Sequence, residues 1–203
     1  MATNYSNKTS LSRNIQDKNL KDKEKVDCVD QTGKVIGKAT RSQVYKQGLL
    51  HPAVNIVVIN KEGQIFIQRR SSKKILPLYW DISASEHVKS GEDNKSAAIR
   101  GLKEELSITA PVKLLREKHI QRNEYITKDI CFIENELVEL YGVIYDGKIE
   151  VNQEEVSEGK YISFEELDKL IKNSRIKFSP WGLEEINYLL ENPSVISELT
   201  HQT

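Results

Sequence analysis

The chain has little of what marks a specialised protein. Two cysteines, Cys28 and Cys131, occur in 203 residues; they are too few for a disulfide framework and lack metal-ligand spacing, so unpaired thiols in a reducing cytoplasm are expected. Neither sign of charge is in excess, with 30 basic against 30 acidic residues. No global field therefore draws the protein to nucleic acid or an anionic membrane, and any anion must be held locally. No apolar run approaches bilayer length, and the first residues lack the apolar stretch of a secretory signal. Neither nucleic acid nor a membrane is expected as a partner.

What is present is ordinary for a globular protein: 38% apolar and 30% charged residues, in a length that one domain accommodates. Residues 1–23 are polar and without apolar period, so ordering them would cost entropy that little burial could offset, and they are expected as a tail. A single domain is expected over 24–192, followed by a C-terminal tail at 193–203. No period of solenoid length recurs.

Within that domain the alternation around Gln31-Thr32-Gly33 predicts a hairpin, and "SQVYKQGLLH" a short helix or turn. "AVNIVVIN" and "QIFIQRR" flank Lys61-Glu62-Gly63 as a second hairpin. An extended piece follows at Trp80–Ala84, then a helix from about Ser96, strands at about 112–126, 129–145 and 159–163, and a tight turn at Asp146-Gly147. Capping signals at Ser163 and at Ser179-Pro180 predict two final helices. This order points to an α+β fold, an α/β/α sandwich on a mixed sheet.

The helix after Ser96 is unusual in its acids. At 100° per residue, Ala98, Ile99, Leu102 and Leu106 share one side, the expected core face. Glu104 and Glu105 fall on another flank, with Gly101 between them and Ala97 beside them. A plain surface helix would not keep Gly101, which costs roughly 1 kcal/mol relative to Ala. Gly91-Glu92 adds a turn and a third acid upstream, and oxygen ligands from a loop and a helix suit a hard divalent cation. "QRRSSKK" is a basic cluster beside a strand end, suited to a phosphate. Glu134 and Glu136 alternate on a strand, which sends both side chains to one face. Trp80 and Trp181 are expected to pack in the core or a pocket wall.

The stretch from Glu86 to Ile108 resembles the Nudix box, G-x5-E-x7-R-E-U-x-E-E-x-G-U, where U is aliphatic. Glu92, Arg100, Leu102, Glu104, Glu105 and Ile108 match; Glu86, Gly101 and Ser107 stand where Gly, Glu and Gly are expected. The resemblance implies a loop-helix-loop on an α/β/α sandwich and hydrolysis of a substrate diphosphate with Mg²⁺ or Mn²⁺. It implies Glu104 and Glu105 as metal ligands, Glu92 as a supporting acid and Arg100 as the group that holds the glutamates.

Over about residues 26–185 the chain is similar to the branch containing type I isopentenyl-diphosphate isomerase and its hydrolase relatives, through "VDQTGKVIGKATR", "LLHPAV", "QRRSSKK", "YWDIS", "HVKSGE", "IENE" and "FSPW" in that order. The overlay implies His51, His87, Glu134 and Glu136 at a metal site, with Tyr45 near the position of a further histidine. It puts Ser85 at the isomerase's reactive cysteine, a poor substitute because a hydroxyl is far less acidic than a thiol. Arg41, Arg70 and Lys74 fall where the isomerase holds its substrate's diphosphate. Three functional readings follow: a metal-dependent hydrolase of a small-molecule diphosphate with Glu104, Glu105, Glu136 and Arg100 as its catalytic groups, a prenyl-diphosphate isomerase, and a binding module without turnover. A homodimer through strand or helix faces is the assembly to test.

Overall fold

The computed structural model describes residues 24–126 and 131–200; the tail expected at 1–23 lies outside them. β1 (Lys25–Val29) and β2 (Val35–Thr40) form the first hairpin. Asp30 closes its turn by accepting from the Thr32 amide at 2.9 Å, the Thr32 hydroxyl at 2.6 Å and the Lys34 amide at 3.1 Å. Gly33 supplies the φ of 86° that this turn needs. Thr40 then opens α1 (Arg41–Gln47) through a reciprocal capping box with Gln43, and a left-handed Gly48 ends it.

β3 (His51–Ile59) and β4 (Ile65–Arg70) were expected as a hairpin, but they pair only at Ile59 and Ile65. Beyond that point they part like a fork. β5 (Trp80–Asp81) lies on β4, and β6 (Ala84–His87) lies on β3. Ser83, between β5 and β6, spans the fork: its hydroxyl accepts from the Val58 amide at 2.8 Å and donates to the Phe66 carbonyl at 2.5 Å. One side chain thus satisfies a donor and an acceptor that the broken ladder would leave bare.

β8 (Cys131–Ile144) runs parallel to β3 along all of it, from His51 opposite Glu136 to Ile59 opposite Ile144. β7 (Lys113–Ile126) covers the outer edge of β8, and β9 (Val156–Ile162) pairs with β4. The described residues therefore form a mixed seven-stranded sheet in the order β5-β4-β3-β8-β7, with β6 on β3 and β9 on β4.

Alternate residues of β3 supply two cores. Val54, Ile56 and Val58 pack under α2 (Asn94–Leu106) against Ala97, Ala98, Leu102 and Leu106. Val57 and Ile59 join Ile65 and Ile67 beneath α3 (Phe164–Lys172), α4 (Pro180–Glu191) and α5 (Pro193–Thr200), through Leu167, Ile186, Leu189 and Leu199. This is the α/β/α sandwich, α+β in class. Ser163 caps α3 and Ser179 caps α4, with Pro180 at the first helical position. No helix among the described residues is long and apolar enough to cross a membrane.

Two expectations are corrected. Residues 193–200, expected as the start of a tail, form α5; Leu199 is buried over Gly142, where an added Cβ would come within 2.8 Å of it. In α2 the buried side also takes in Ala97, Gly101 and Glu105, while Ile99 is only half-buried. Burial of Leu102 and Leu106, about 1.5–3 kcal/mol each, outweighs the roughly 1 kcal/mol cost of Gly101.

Candidate functional site

Asp93 starts α2 by accepting from the Ser96 amide at 3.0 Å, and the turn before it brings Glu92 back over the helix. Arg100 gathers the acids there. Its guanidinium holds both oxygens of Glu92, at 2.9 and 2.8 Å, and donates to the His87 carbonyl at 2.9 Å. Nη1 reaches Glu86 at 2.5 Å and Glu104 at 3.5 Å. The Arg100 hydrogen bonds hold the Glu92 carboxyl below its ordinary range.

Glu105 leaves this group. It is 6% exposed and accepts from Gln68 Nε2 at 2.8 Å and from the Ser85 amide at 3.4 Å, inside the fork between β4 and β6. Burial pushes its carboxyl up to about 7, against the pull of Lys74. Glu104 is exposed, 4.0 Å from Lys89.

The other face of β6 bears a second set. His51 and Glu136 are direct cross-strand neighbours, and His87 lies opposite Ala53, two residues along β3 from His51. One ligand atom from each of His51, His87 and Glu136 falls within 4.8 Å of the others. His51 donates its Nδ1–H to the Leu49 carbonyl at 2.9 Å; its buried Nε2 has no hydrogen-bond partner and sits 3.6 Å from Glu136. Burial, with Arg41 close by, pushes the His87 imidazole down to about 4, so it is neutral near pH 7. Burial opposes the Glu136 charge, yet the two imidazoles hold its carboxyl well below the usual range. Glu134 is pushed up by burial and by Glu136, and its buried Oε2 is unpartnered.

Among the described residues, His51, His87 and Glu136 are the three-residue group close enough to share an ion. Glu92, Glu104 and Glu105, expected to converge, do not form such a group: Arg100 holds the first two and the fork takes the third. The basic residues expected on a diphosphate each have an acid. Arg70 pairs with the fully buried Asp81 at 2.8 Å and lies over the Trp181 ring; Arg41 is 4.0 Å from Glu24; Lys74 pairs with Glu155. Trp181 is buried, as expected, and donates Nε1–H to Asp81 at 3.0 Å; Trp80 is half-buried under Lys160.

The sequence reading did not single out Asn55, Gln68 or Asp81. Asn55 accepts from the Ser85 hydroxyl at 2.8 Å and donates to Glu185 at 3.1 Å. The signal was available, since a lone Asn inside "AVNIVVIN" is a buried polar group that must find partners.

The Nudix domain model matches residues 49–182. The chain belongs to the Nudix family. An uncharacterized Nudix hydrolase of Nostoc, all7351, is 44% identical over 91 residues, 44% of this chain and 54% of that protein. Isopentenyl-diphosphate Delta-isomerase 1 of Photorhabdus laumondii is 29% identical over 83% of this chain and 96% of its own length. The chain thus spans about half of the Nostoc relative and nearly all of the Photorhabdus one. Among solved structures, DR0079 of Deinococcus radiodurans superposes with a TM-score of 0.65 at 23% identity, over 81% of this chain and 98% of that one, which shows the Nudix fold.

Nudix enzymes generally use divalent metals, and the donors present fit one. His51 Nε2 and Glu134 Oε2 are buried polar atoms without hydrogen-bond partners, beside a charged Glu136 and a neutral His87. A cation would satisfy what the fold leaves bare.

Proposed function

We propose that this chain is a divalent-metal-dependent Nudix hydrolase that cleaves the diphosphate linkage of a small molecule, a nucleoside diphosphate derivative being the substrate class to try first. The observation that carries this reading is the Arg100 hub, which holds Glu86, Glu92 and Glu104 at one edge of α2 while Glu105 stays buried beside them. Such a hub has no purpose on a plain surface helix, where an Arg–Glu pair contributes only a few tenths of a kcal/mol.

In this reading Glu104, Glu105 and Glu92 would hold Mg²⁺ or Mn²⁺ only by turning toward one another from Arg100 and Gln68, while His51, His87 and Glu136, with Glu134 beside them, offer a second donor set that is already gathered. Two imidazoles favour Mn²⁺ over Mg²⁺ at that second set. The bound cation supplies charge neutralisation at the phosphates. Glu105 or Glu136 takes the proton of the attacking water, a new P–O bond forms, and the bridging P–O bond breaks. Arg41, 4.0 Å from Glu24, is a cation close to both His87 and Glu134 and could meet an incoming phosphate there, as could Arg70 beside Glu134.

A prenyl-diphosphate isomerase is the second reading, favoured by the histidine and glutamate cluster. Ser85 weighs against it, because its hydroxyl donates to Asn55 and has no thiol's acidity to move a proton onto carbon. Incubation with Mn²⁺ or Mg²⁺ and a panel of nucleotide sugars, dinucleotides and isopentenyl diphosphate separates the readings. Phosphate-ester products that vanish in Glu105→Gln are expected. Formation of the allylic isomer without hydrolysis would replace the hydrolase reading, and tight binding with no turnover of any compound would leave a binding module.

A further inference from the structure

Gly101 is buried on α2, where nothing in the backbone conformation requires glycine. The neighbouring strand explains it. A Cβ built at Gly101 would lie 3.1 Å from Glu86 Cβ, 3.4 Å from Glu86 Cγ and 3.6 Å from Ile56 Cδ1. Side chains at 86 and 101 therefore compete for one space. The family motif has glycine at the first of these positions and glutamate at the second; this chain has the reverse.

We propose that the two residues have exchanged places, so that Glu86, presented from β6, supplies the metal-binding carboxylate that the motif otherwise presents from α2. The exchange keeps the acid on the same guanidinium: Arg100 Nη1 is 2.5 Å from Glu86 Oε2 and 3.5 Å from Glu104 Oε2. Glu86 is mostly buried, so it is a built part of the site rather than a solvated surface acid. An independent sign that a cation belongs here comes from Gln68. That side chain is 3% exposed, gives its N–H to Glu105, and leaves its own Oε1 buried with no hydrogen-bond partner. An acceptor oxygen left bare next to a buried carboxylate is short of positive charge or of a donor, which a divalent cation and its waters provide.

The inference rests on the metal-dependent reading above and adds to it the identity of one ligand. It is tested on the full chain by Mn²⁺ titration, read by electron paramagnetic resonance and calorimetry, with thermal melting of each variant in parallel. Glu86→Gln, which keeps size and hydrogen bonding, is expected to weaken Mn²⁺ binding by about tenfold or more. The double change Glu86→Gly with Gly101→Glu is expected to regain most of that affinity. Gly101→Glu alone should melt lower than the double variant, since two side chains then claim one space and the effects are not additive. Mn²⁺ affinity unchanged in Glu86→Gln but lost in Glu105→Gln would overturn the exchange and leave the hydrolase reading intact. A wild-type chain that binds no Mn²⁺ would overturn both.

Discussion

The Tyr45 hydroxyl lies 2.9 Å from His87 Nε2, the ring atom that also faces Glu136 at 3.2 Å. A phenol whose ionisation burial pushes above its ordinary range thus stands on the side of the cluster near which the resemblance to the isomerase implies a further histidine. Being a neutral hydroxyl, it is a weaker ligand than imidazole. Tyr45→His is expected to raise Mn²⁺ or Zn²⁺ affinity at this cluster by about tenfold or more. Competition with a chelator measures it, and an affinity no higher than wild type would show that Tyr45 is only a packing partner of His87 and Phe132.

Glu105 sets a pH dependence. Its folded-state carboxyl lies at about 7, above its value in an unfolded chain. Ionising it in the fold is costly, so without metal it lowers stability progressively from about pH 4.5 to 7 and by a constant amount above that. Glu105→Gln removes this cost. In chelator the variant should melt higher than wild type at pH 8, with the gap closing as the pH falls toward 4.5. Divalent metal should reverse the order at pH 8, since only the wild type has a carboxylate to bind. A gap that does not change with pH would remove Glu105 from the list of buried, desolvated acids.

Arg100 is the strut of the box. Arg100→Ala leaves Glu86 and Glu92 crowded without a cation, and a loss of about 3 kcal/mol of stability is expected, in the range for breaking a buried pair. Arg100→Lys should restore little, because an ammonium cannot hold both oxygens of Glu92 while reaching Glu86. Chemical denaturation measures both, and full rescue by lysine would mean that charge alone matters there.

Arg70 gives the sharpest contrast between sequence and structure. The "QRRSSKK" cluster suggests a phosphate contact, whereas the fold gives Arg70 to Asp81, which also accepts from Ser179 and Trp181. Arg70→Gln should therefore lower the melting temperature, and combined with Asp81→Asn it should show a coupling of about 1 kcal/mol or more. A raised KM with unchanged melting would return Arg70 to the substrate.

The architecture was legible because alternation and capping are local. Val54, Val57 and Val58 announce a strand buried on both faces, and Ser163 and Ser179 announce helix starts. The fork between β3 and β4 was not legible, because it depends on Ser83 bridging strands from a distant segment. Helix α5 was missed because "PSVISELT" is short and its start signal, Asn192 before Pro193, coincides with the end of α4, while its seat over Gly142 is a tertiary contact. At the site, motif spacing found Arg100 and Glu92 together. It could not show Glu105 swinging to Gln68, since a helix projection gives a side chain's angle but not its reach.

Strand β6 is four residues long, and adjacent side chains on it leave in opposite directions: Glu86 to Arg100 on one face, His87 to Glu136 on the other. The peptide unit joining them is planar and stiff. The guanidinium hub and the imidazole cluster are thus carried by neighbouring Cα atoms about 3.8 Å apart, so one short rung fixes the spacing between the two sets.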